Sequence, residues 1–229
     1  MTRKERFNYI LDYFRKEQGP VTTELEFGSA FQLIVATLLS AQCTDKRINM
    51  ITPELYRHYP TAEAMAQADW EDIFQLIKSV SYPNSKAHHL SEMAKILVER
   101  FNGEVPDNTD DLTQLPGVGR KTANVVQAVW FGKPTLAVDT HVYRVSHRLG
   151  LVPETANTPL KVELELMKYI PKADVGNAHH WLLLHGRYIC KSQRPQCQDC
   201  PFNTFCPTGV KILKEKQASA LSKTAVKKP

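Results

Sequence analysis

Apolar residues recur along the chain at helical spacing, and no stretch alternates apolar and polar positions as a half-buried strand does. Between Arg6 and Phe14, the residues Phe7, Ile10, Leu11 and Phe14 fall on one stripe, while Lys4, Glu5, Asp12 and Arg15 stay off it. This is the pattern of a helix that buries one face. Ser29 to Gln32 is a capping-box pattern opening an apolar helix through Leu39, Asp69 heads a helix over Trp70 to Ile77, and Ser85 heads one over Ala87 to Phe101. Thr158-Pro159 puts a cap and a first-turn proline before Leu160 to Ile170, and Asp174 opens a helix toward Tyr188. Breaks fall at Gly19-Pro20, Pro60, Pro83, Gly103 to Pro106, Gly132 to Pro134, Pro153 and Pro171. The pattern predicts about ten short helices with short connections, an all-α protein, and no repeat of solenoid period is visible.

Composition narrows the class. At 229 residues, 42% hydrophobic and 23% charged, the chain is long enough for a sizeable core and too ordered in composition for a disordered or collagenous class. The greasiest stretch, Phe31 to Ala41, is interrupted by Gln32, Thr37 and Ser40 and is about half of what a membrane span needs. The first twenty residues are charged throughout and lack an apolar signal core. These features predict a cytoplasmic protein with no membrane partner, in which five cysteines are not disulfides.

Four of those cysteines follow the spacing Cys190-x6-Cys197-x2-Cys200-x5-Cys206. Four thiolates this close can wrap one tetrahedral centre, either zinc or a [4Fe-4S] cube. A single x2 pair flanked by lone cysteines favours the cube over the paired zinc pattern. Cys43 stands apart and reads as a core or pocket-wall residue.

The segment Leu115-Pro116-Gly117-Val118-Gly119-Arg120-Lys121-Thr122-Ala123 lies between a short helix, Thr109 to Gln114, and a longer one ending near Phe131. Gly117 and Gly119 permit a tight turn whose bare N–H groups, with the helix start behind them, suit a phosphate; a purely structural turn is the competing reading. Lys121 would sit in the first helical turn beside Arg120, where the macrodipole and the neighbouring charge disfavour its charged form. It is either an amine nucleophile or a phosphate ligand. Asp139 comes eighteen residues later, before Thr140 and His141. A helix over Lys121 to Phe131 advances about 15 Å, and seven extended residues span up to roughly 23 to 25 Å, so the chain can return Asp139 toward Lys121. A plain helix N-cap is the alternative.

Taken together, LPGVGRKTA, VDTHV, LLSAQCTD, HGRYIC and the cysteine tail resemble the helix-hairpin-helix DNA glycosylases, and among them the endonuclease III family. The match runs from about Arg3 to Cys206. The resemblance implies a six-helix barrel domain over residues 22–133 and an iron-sulfur helical domain formed by residues 1–21 and 134–208. Double-stranded damaged DNA would lie across the cleft between them with the damaged nucleotide flipped out. The implied activity is removal of oxidised pyrimidines, with Lys121 attacking C1′, a Schiff base, and β-elimination at the abasic site. Asp139 would deprotonate the amine or stabilise charge developing on the sugar. Gln42 matches the residue that fills the gap left by the flipped base. The second wedge loop departs from the family pattern, reading Val80-Ser81-Tyr82-Pro83-Asn84 where a glycine and then Leu or Phe are expected, and puts Tyr82 at the wedge position. Ser40, Thr44 and Asp45 match the family's lesion-side block, with His141 as a further pocket candidate.

Lys191 and Arg194, between the first two cysteines, would meet backbone phosphates. His141, Arg144, His147 and Arg148 fall on one helix as either a DNA-facing stripe or a wet face. An adenine mismatch glycosylase of the same superfamily is disfavoured by Lys121, where a small hydroxyl residue belongs; a non-catalytic zinc scaffold is the reading from another class. The formal charge of +5 resides entirely in Lys211 to Pro229, since residues 1–210 carry 23 basic and 23 acidic groups. Residues 209–229 therefore read as a basic, flexible tail on a monomeric body with local charge: Leu115 to Gly150 has five Lys or Arg against Asp139 alone, and Thr61 to Tyr82 has four acids against Lys78.

Overall fold

A computed structural model describes the backbone of residues 1–225 and the side chains of residues 1–218. Among the described residues there are only helices and their connections, and no helix is long and apolar enough to cross a membrane. The chain divides into two compact units, one formed by Thr22–Ala137 and the other by Met1–Val21 together with Val138–Pro229.

The Thr22–Ala137 unit contains α2 (Ala30–Leu39), α3 (Asp45–His58), α4 (Ala62–Ala66), α5 (Trp70–Ile77), α6 (Pro83–Phe101), α7 (Thr109–Leu112) and α8 (Arg120–Val129). Helix α2 is apolar all round, which demands burial on every side; Phe31 and each residue from Leu33 to Leu39 are buried. It packs against α3, α6 and α8, and the long α6 supports α4 and α5. Ser29 caps α2 by accepting from the Gln32 N–H at 3.1 Å, while the Gln32 side chain reaches past the cap to the Gly28 N–H at 2.7 Å. The capping box expected there is half made. Helix α5 has the bounds its pattern implies, and α6 begins earlier than Ser85 because Pro83 supplies its first turn.

The unit runs past the expected boundary at residue 133. Asn124 Nδ2 donates to Leu136 O at 3.0 Å, Thr135 Oγ1 donates to Asn124 O at 2.8 Å, and Lys133 N donates to Gln127 O at 3.0 Å. These bonds lay residues 133–137 back along α8.

The second unit contains α1 (Arg3–Glu17), α9 (Thr140–Arg148), α10 (Pro159–Met167), a 3-10 turn (Lys172–Asp174), α11 (Val175–Tyr188) and α12 (Pro207–Ala225). The α1 stripe is buried as Phe7, Ile10, Leu11 and Phe14. Phe7 stacks on Tyr169 with centroids 4.8 Å apart, and Phe14 meets Trp181 at 5.8 Å and Phe202 at 5.4 Å. Trp181 Nε1 donates to Gly19 O at 2.8 Å and Asn177 Oδ1 accepts from Val21 N at 3.0 Å, so the N-terminal segment is hydrogen-bonded to α11 at both ends of its exit turn. Helix α11 lies against α9 at Gly186, where a Cβ would stand 2.9 Å from His141 Cβ.

The flexible tail expected from residue 209 is corrected by α12. Pro207 starts a helix whose Gly209 is buried and whose Val210, Ile212 and Leu213 are half-buried, and the Lys, Glu, Gln and Ala that follow are strong helix formers. Residues 226–229 of the expected tail lie outside the described residues.

Candidate active site

Helix α8 starts from the two-glycine turn. Gly117 is left-handed at φ 76°, and a Cβ there would meet Leu38 Cδ1 at 2.8 Å and His89 Cβ at 3.0 Å. No other residue fits this point. Val118 N donates to Leu115 O at 3.0 Å, closing the turn. Gly119 is the N-cap of α8 with no side chain to bond the first amides and open space around it, and Arg120 and Lys121 follow as exposed residues of the first turn. The first turn of α8 contains no acidic residue and lies at the positive end of the helix dipole.

Asp139 belongs to the other unit and caps α9, its Oδ1 accepting from the N–H of His141 at 2.9 Å and of Val142 at 2.8 Å. Those bonds lock the carboxylate in one orientation and leave Oδ2 outside the cap. The expected N-cap role is therefore real.

Gln42 and Tyr82 are exposed and both are left-handed, at φ 57° and 55°. A non-glycine residue held there costs about 1 to 3 kcal/mol. For Tyr82 the strain is sharper, since the residue before a proline is normally extended. Ser40, Thr44 and Asp45 lie at the α2–α3 turn. Ser40 Oγ donates to Thr37 O at 2.8 Å and Thr44 Oγ1 accepts from Arg47 N at 3.2 Å. These are end-capping bonds, and Asp45 opens α3. The structure thus gives Ser40 and Thr44 a local structural duty. His141 is half-buried, with its Nδ1 3.2 Å from Arg144 Nη2.

Arg144 and Arg148 form neither a wet face nor an open DNA-facing stripe. Arg144 Nη2 donates to Gly186 O at 2.9 Å and its Nε to Cys190 O at 3.2 Å. Arg148 donates to Lys191 O at 2.7 Å and Ser192 O at 2.9 Å. Both guanidinium groups are spent on carbonyls at the end of α11 and in the loop after it, which leaves Lys191 and Arg194 exposed on that loop. Arg194 is itself left-handed at φ 51°.

The four cysteines Cys190, Cys197, Cys200 and Cys206 line one cavity with Arg148, His185 and Gly209. Among the described residues no group of three His, Cys, Asp or Glu side chains is arranged to hold a single metal ion. Gly209 N–H points at Cys206 Sγ at 3.3 Å and Arg148 Nη1 at Cys190 Sγ at 3.6 Å, the donors that sulfur carrying negative charge needs. Burial pushes the Cys200 thiol up to about 11, with the other three thiols adding to the rise; Cys197 and Cys206 are raised by burial as well. Thiols in that state become ligands when a cation supplies the counter-charge. The donor set and the space fit a polynuclear cluster.

Residues 35–172 match the model of the HhH-GPD superfamily base excision DNA repair protein. Endonuclease III of Bacillus subtilis (strain 168) is 45% identical over 211 residues, spanning 92% of this chain and 96% of that protein. The chain belongs to the endonuclease III family. Endonuclease III of Escherichia coli (strain K12) is 43% identical over 203 residues, 89% of this chain and 95% of that one. A solved structure of a trapped endonuclease III–DNA covalent intermediate, an estranged-adenine complex, has a TM-score of 0.88 at 42% identity and covers 93% of this chain and 100% of its own. A thermostable thymine-DNA glycosylase, at 23% identity and TM-score 0.79, shares the fold.

Lys86 carries no signal in the sequence pattern. Lys86 is 6% exposed, and its partners are carbonyls more than forty positions away in sequence, which no periodicity reveals.

Proposed function

We propose that the chain removes oxidised pyrimidines from duplex DNA and cuts the abasic site by β-elimination, with Lys121 as nucleophile and Asp139 as its partner. Its class, a base-excision-repair glycosylase and abasic-site lyase acting on damaged DNA, follows from its family. The observation that carries the residue assignment is the placement of Lys121, exposed in the first turn of α8 directly behind the uncapped Gly119. A phosphate held on the turn brings the adjoining sugar to an amine that the backbone cannot move away.

In this reading the Lys121 amine attacks C1′ and the base leaves with the bonding electrons. Asp139 takes the amine proton through Oδ2, the oxygen not used in capping α9, and opening of the sugar ring gives an iminium at C1′ that acidifies C2′–H. Water or the expelled base takes that proton, its electrons flow into the iminium as an enamine, and the enamine expels the 3′ phosphate with the C3′–O bonding electrons. Gln42 and Tyr82 enter the opened duplex; Gly117, Gly119 and Arg120 hold the backbone, and Lys191 and Arg194 add phosphate contacts. Cys190, Cys197, Cys200 and Cys206 would hold a [4Fe-4S] cluster, whose part is to fix the loop that carries Lys191 and Arg194. One chain carries every group the reaction needs, so the working unit is a monomer, acting in the cytoplasm on the chromosome. Lys121 also separates this reading from adenine mismatch glycosylase.

The test is borohydride trapping on duplex DNA containing thymine glycol or an abasic site. The wild-type chain should form a covalent complex and Lys121→Ala should form none; trapping by that variant at undiminished yield would remove Lys121 from the role.

A further inference from the structure

The end of α2 has an unusual keeper. Leu39 closes the helix, and its carbonyl is one that a helix terminus leaves without an intrahelical partner; Ala41 follows just beyond the Ser40 C-cap. No basic residue lies in the last turn of α2. Lys86 supplies the missing charge from α6, its Nζ donating to Leu39 O at 2.8 Å and Ala41 O at 2.7 Å and standing 3.9 Å from Cys43 Sγ. Three N–H donors thus face three acceptors, the full capacity of an ammonium. Burial lowers the Lys86 amine from its ordinary range while the Cys43 sulfur opposes the shift. On the thiol side burial raises Cys43, but the bonds from Ser81, with Lys86 helping, outweigh it and leave the thiol below its usual value.

The same sulfur ties in the second loop. Ser81 N donates to Cys43 Sγ at 3.1 Å and Ser81 Oγ donates to Gln42 O at 2.8 Å. The segment Gln42–Cys43 is therefore cross-linked to Ser81, and Lys86 fastens it to α6. Next to these ties stand the two exposed left-handed residues, Gln42 on one side and Tyr82, 64% exposed, on the other. Neither conformation persists unless its surroundings dictate it.

We infer that Lys86 is a positioning residue that, through Cys43 and Ser81, clamps the Gln42 and Tyr82 loops into one rigid wedge, so that opening of the duplex depends on it and the bond-breaking chemistry does not. This rests on the reading above that Gln42 and Tyr82 enter the duplex. Ser81 stands where the family pattern calls for a glycine, and its hydroxyl is what makes the tie to Gln42 possible.

The test uses the full chain with its cluster. Base extrusion is followed by stopped-flow fluorescence of 2-aminopurine placed beside thymine glycol in a duplex, and chemistry by single-turnover cleavage of an abasic site in a single-stranded oligonucleotide. Lys86→Met should slow extrusion by about tenfold or more while leaving single-stranded cleavage within about twofold, and should add nothing further in a Gln42→Ala/Tyr82→Ala background. Equal slowing of both substrates, or a full additive loss in that background, overturns the proposal. Ser81→Ala, at the half-exposed end of the network, should slow extrusion alone by about threefold and carries the test if Lys86→Met does not fold; extrusion at the wild-type rate in Ser81→Ala overturns the clamp. Extrusion at the wild-type rate in Gln42→Ala/Tyr82→Ala would instead overturn the insertion reading itself, a result distinct from failure of Lys86 alone.

Discussion

Arg148 Nη1 lies 2.7 Å from the carbonyl of Lys191, joining the last residue of α9 to the loop between the first two cysteines. Its other nitrogen takes Ser192 O, and Cys190 Sγ is within 3.6 Å. Hydrogen bonds from a charged donor contribute about 1.5 to 3 kcal/mol each. With the proposed [4Fe-4S] cluster in place, Arg148→Met should therefore bleach the cluster's broad band at ~400 nm several-fold faster in the presence of a chelator. Affinity for duplex DNA should fall with it, since Lys191 and Arg194 lose their fixed loop. An unchanged bleaching rate would show that the guanidinium does not secure the centre.

Asp139 caps a helix and is assigned a chemical role, and one pair of substitutions separates the two. Asn caps as well as Asp, whereas Ala loses about 1 kcal/mol. Asp139→Asn should keep the melting temperature and DNA affinity while single-turnover cleavage falls by about a hundredfold or more. Asp139→Ala should lose stability as well. Near-normal cleavage by Asp139→Asn would reduce the residue to a cap.

Gly117 and Gly119 are one residue apart and should fail differently. A methyl at Gly117 meets Leu38 and His89 within 3.0 Å on a left-handed backbone, so Gly117→Ala should lose about 2 to 4 kcal/mol of stability in denaturant titration. A methyl at Gly119 meets nothing within 4 Å, and the weak cap costs at most about 1 kcal/mol. Gly119→Ala should stay folded and lose affinity for DNA, because the methyl occupies the approach of the phosphate. Normal binding by Gly119→Ala would argue against the turn as a phosphate seat.

His180 is buried, and that burial holds its imidazole below the usual value, with the bond to Gly176 O pulling the other way. In the unfolded chain the ring protonates near pH ~6.5; just below that pH the unfolded state binds a proton that the folded state refuses. Stability from this group is complete above pH ~6.5 and is lost as pH falls toward the depressed folded value. His180→Gln should flatten the acid limb by up to about 1.4 kcal/mol per pH unit, read by denaturant unfolding between pH 7 and 5. An acid limb of unchanged slope would assign the loss to other groups.

Helix α5 was legible to the residue because its start and its stripe are both local signals. The start of α6 was not, since Tyr82 enters it left-handed ahead of Pro83. The boundary at 137 has no local signal, because Asn124, a polar residue within a helix, reveals its role only through its bond to Leu136 O. Lysine-rich composition pointed to a flexible tail and missed the apolar face of Val210, Ile212 and Leu213. In the candidate site, motif residues such as Lys121, Asp139 and the cysteines could be named from spacing. The contacts of Arg144, Arg148, Ser81 and Lys86 could not, because they run to backbone carbonyls and a thiol supplied by distant segments.

Helix α1 is made first on the ribosome, yet its partners Tyr169, Trp181 and Phe202 emerge only after the whole of Thr22–Ala137 has been synthesised. At about 5 to 20 residues per second, Phe7 and Phe14 wait many seconds with their apolar stripe uncovered. The middle of the chain has that interval in which to assemble before the first helix finds its seat.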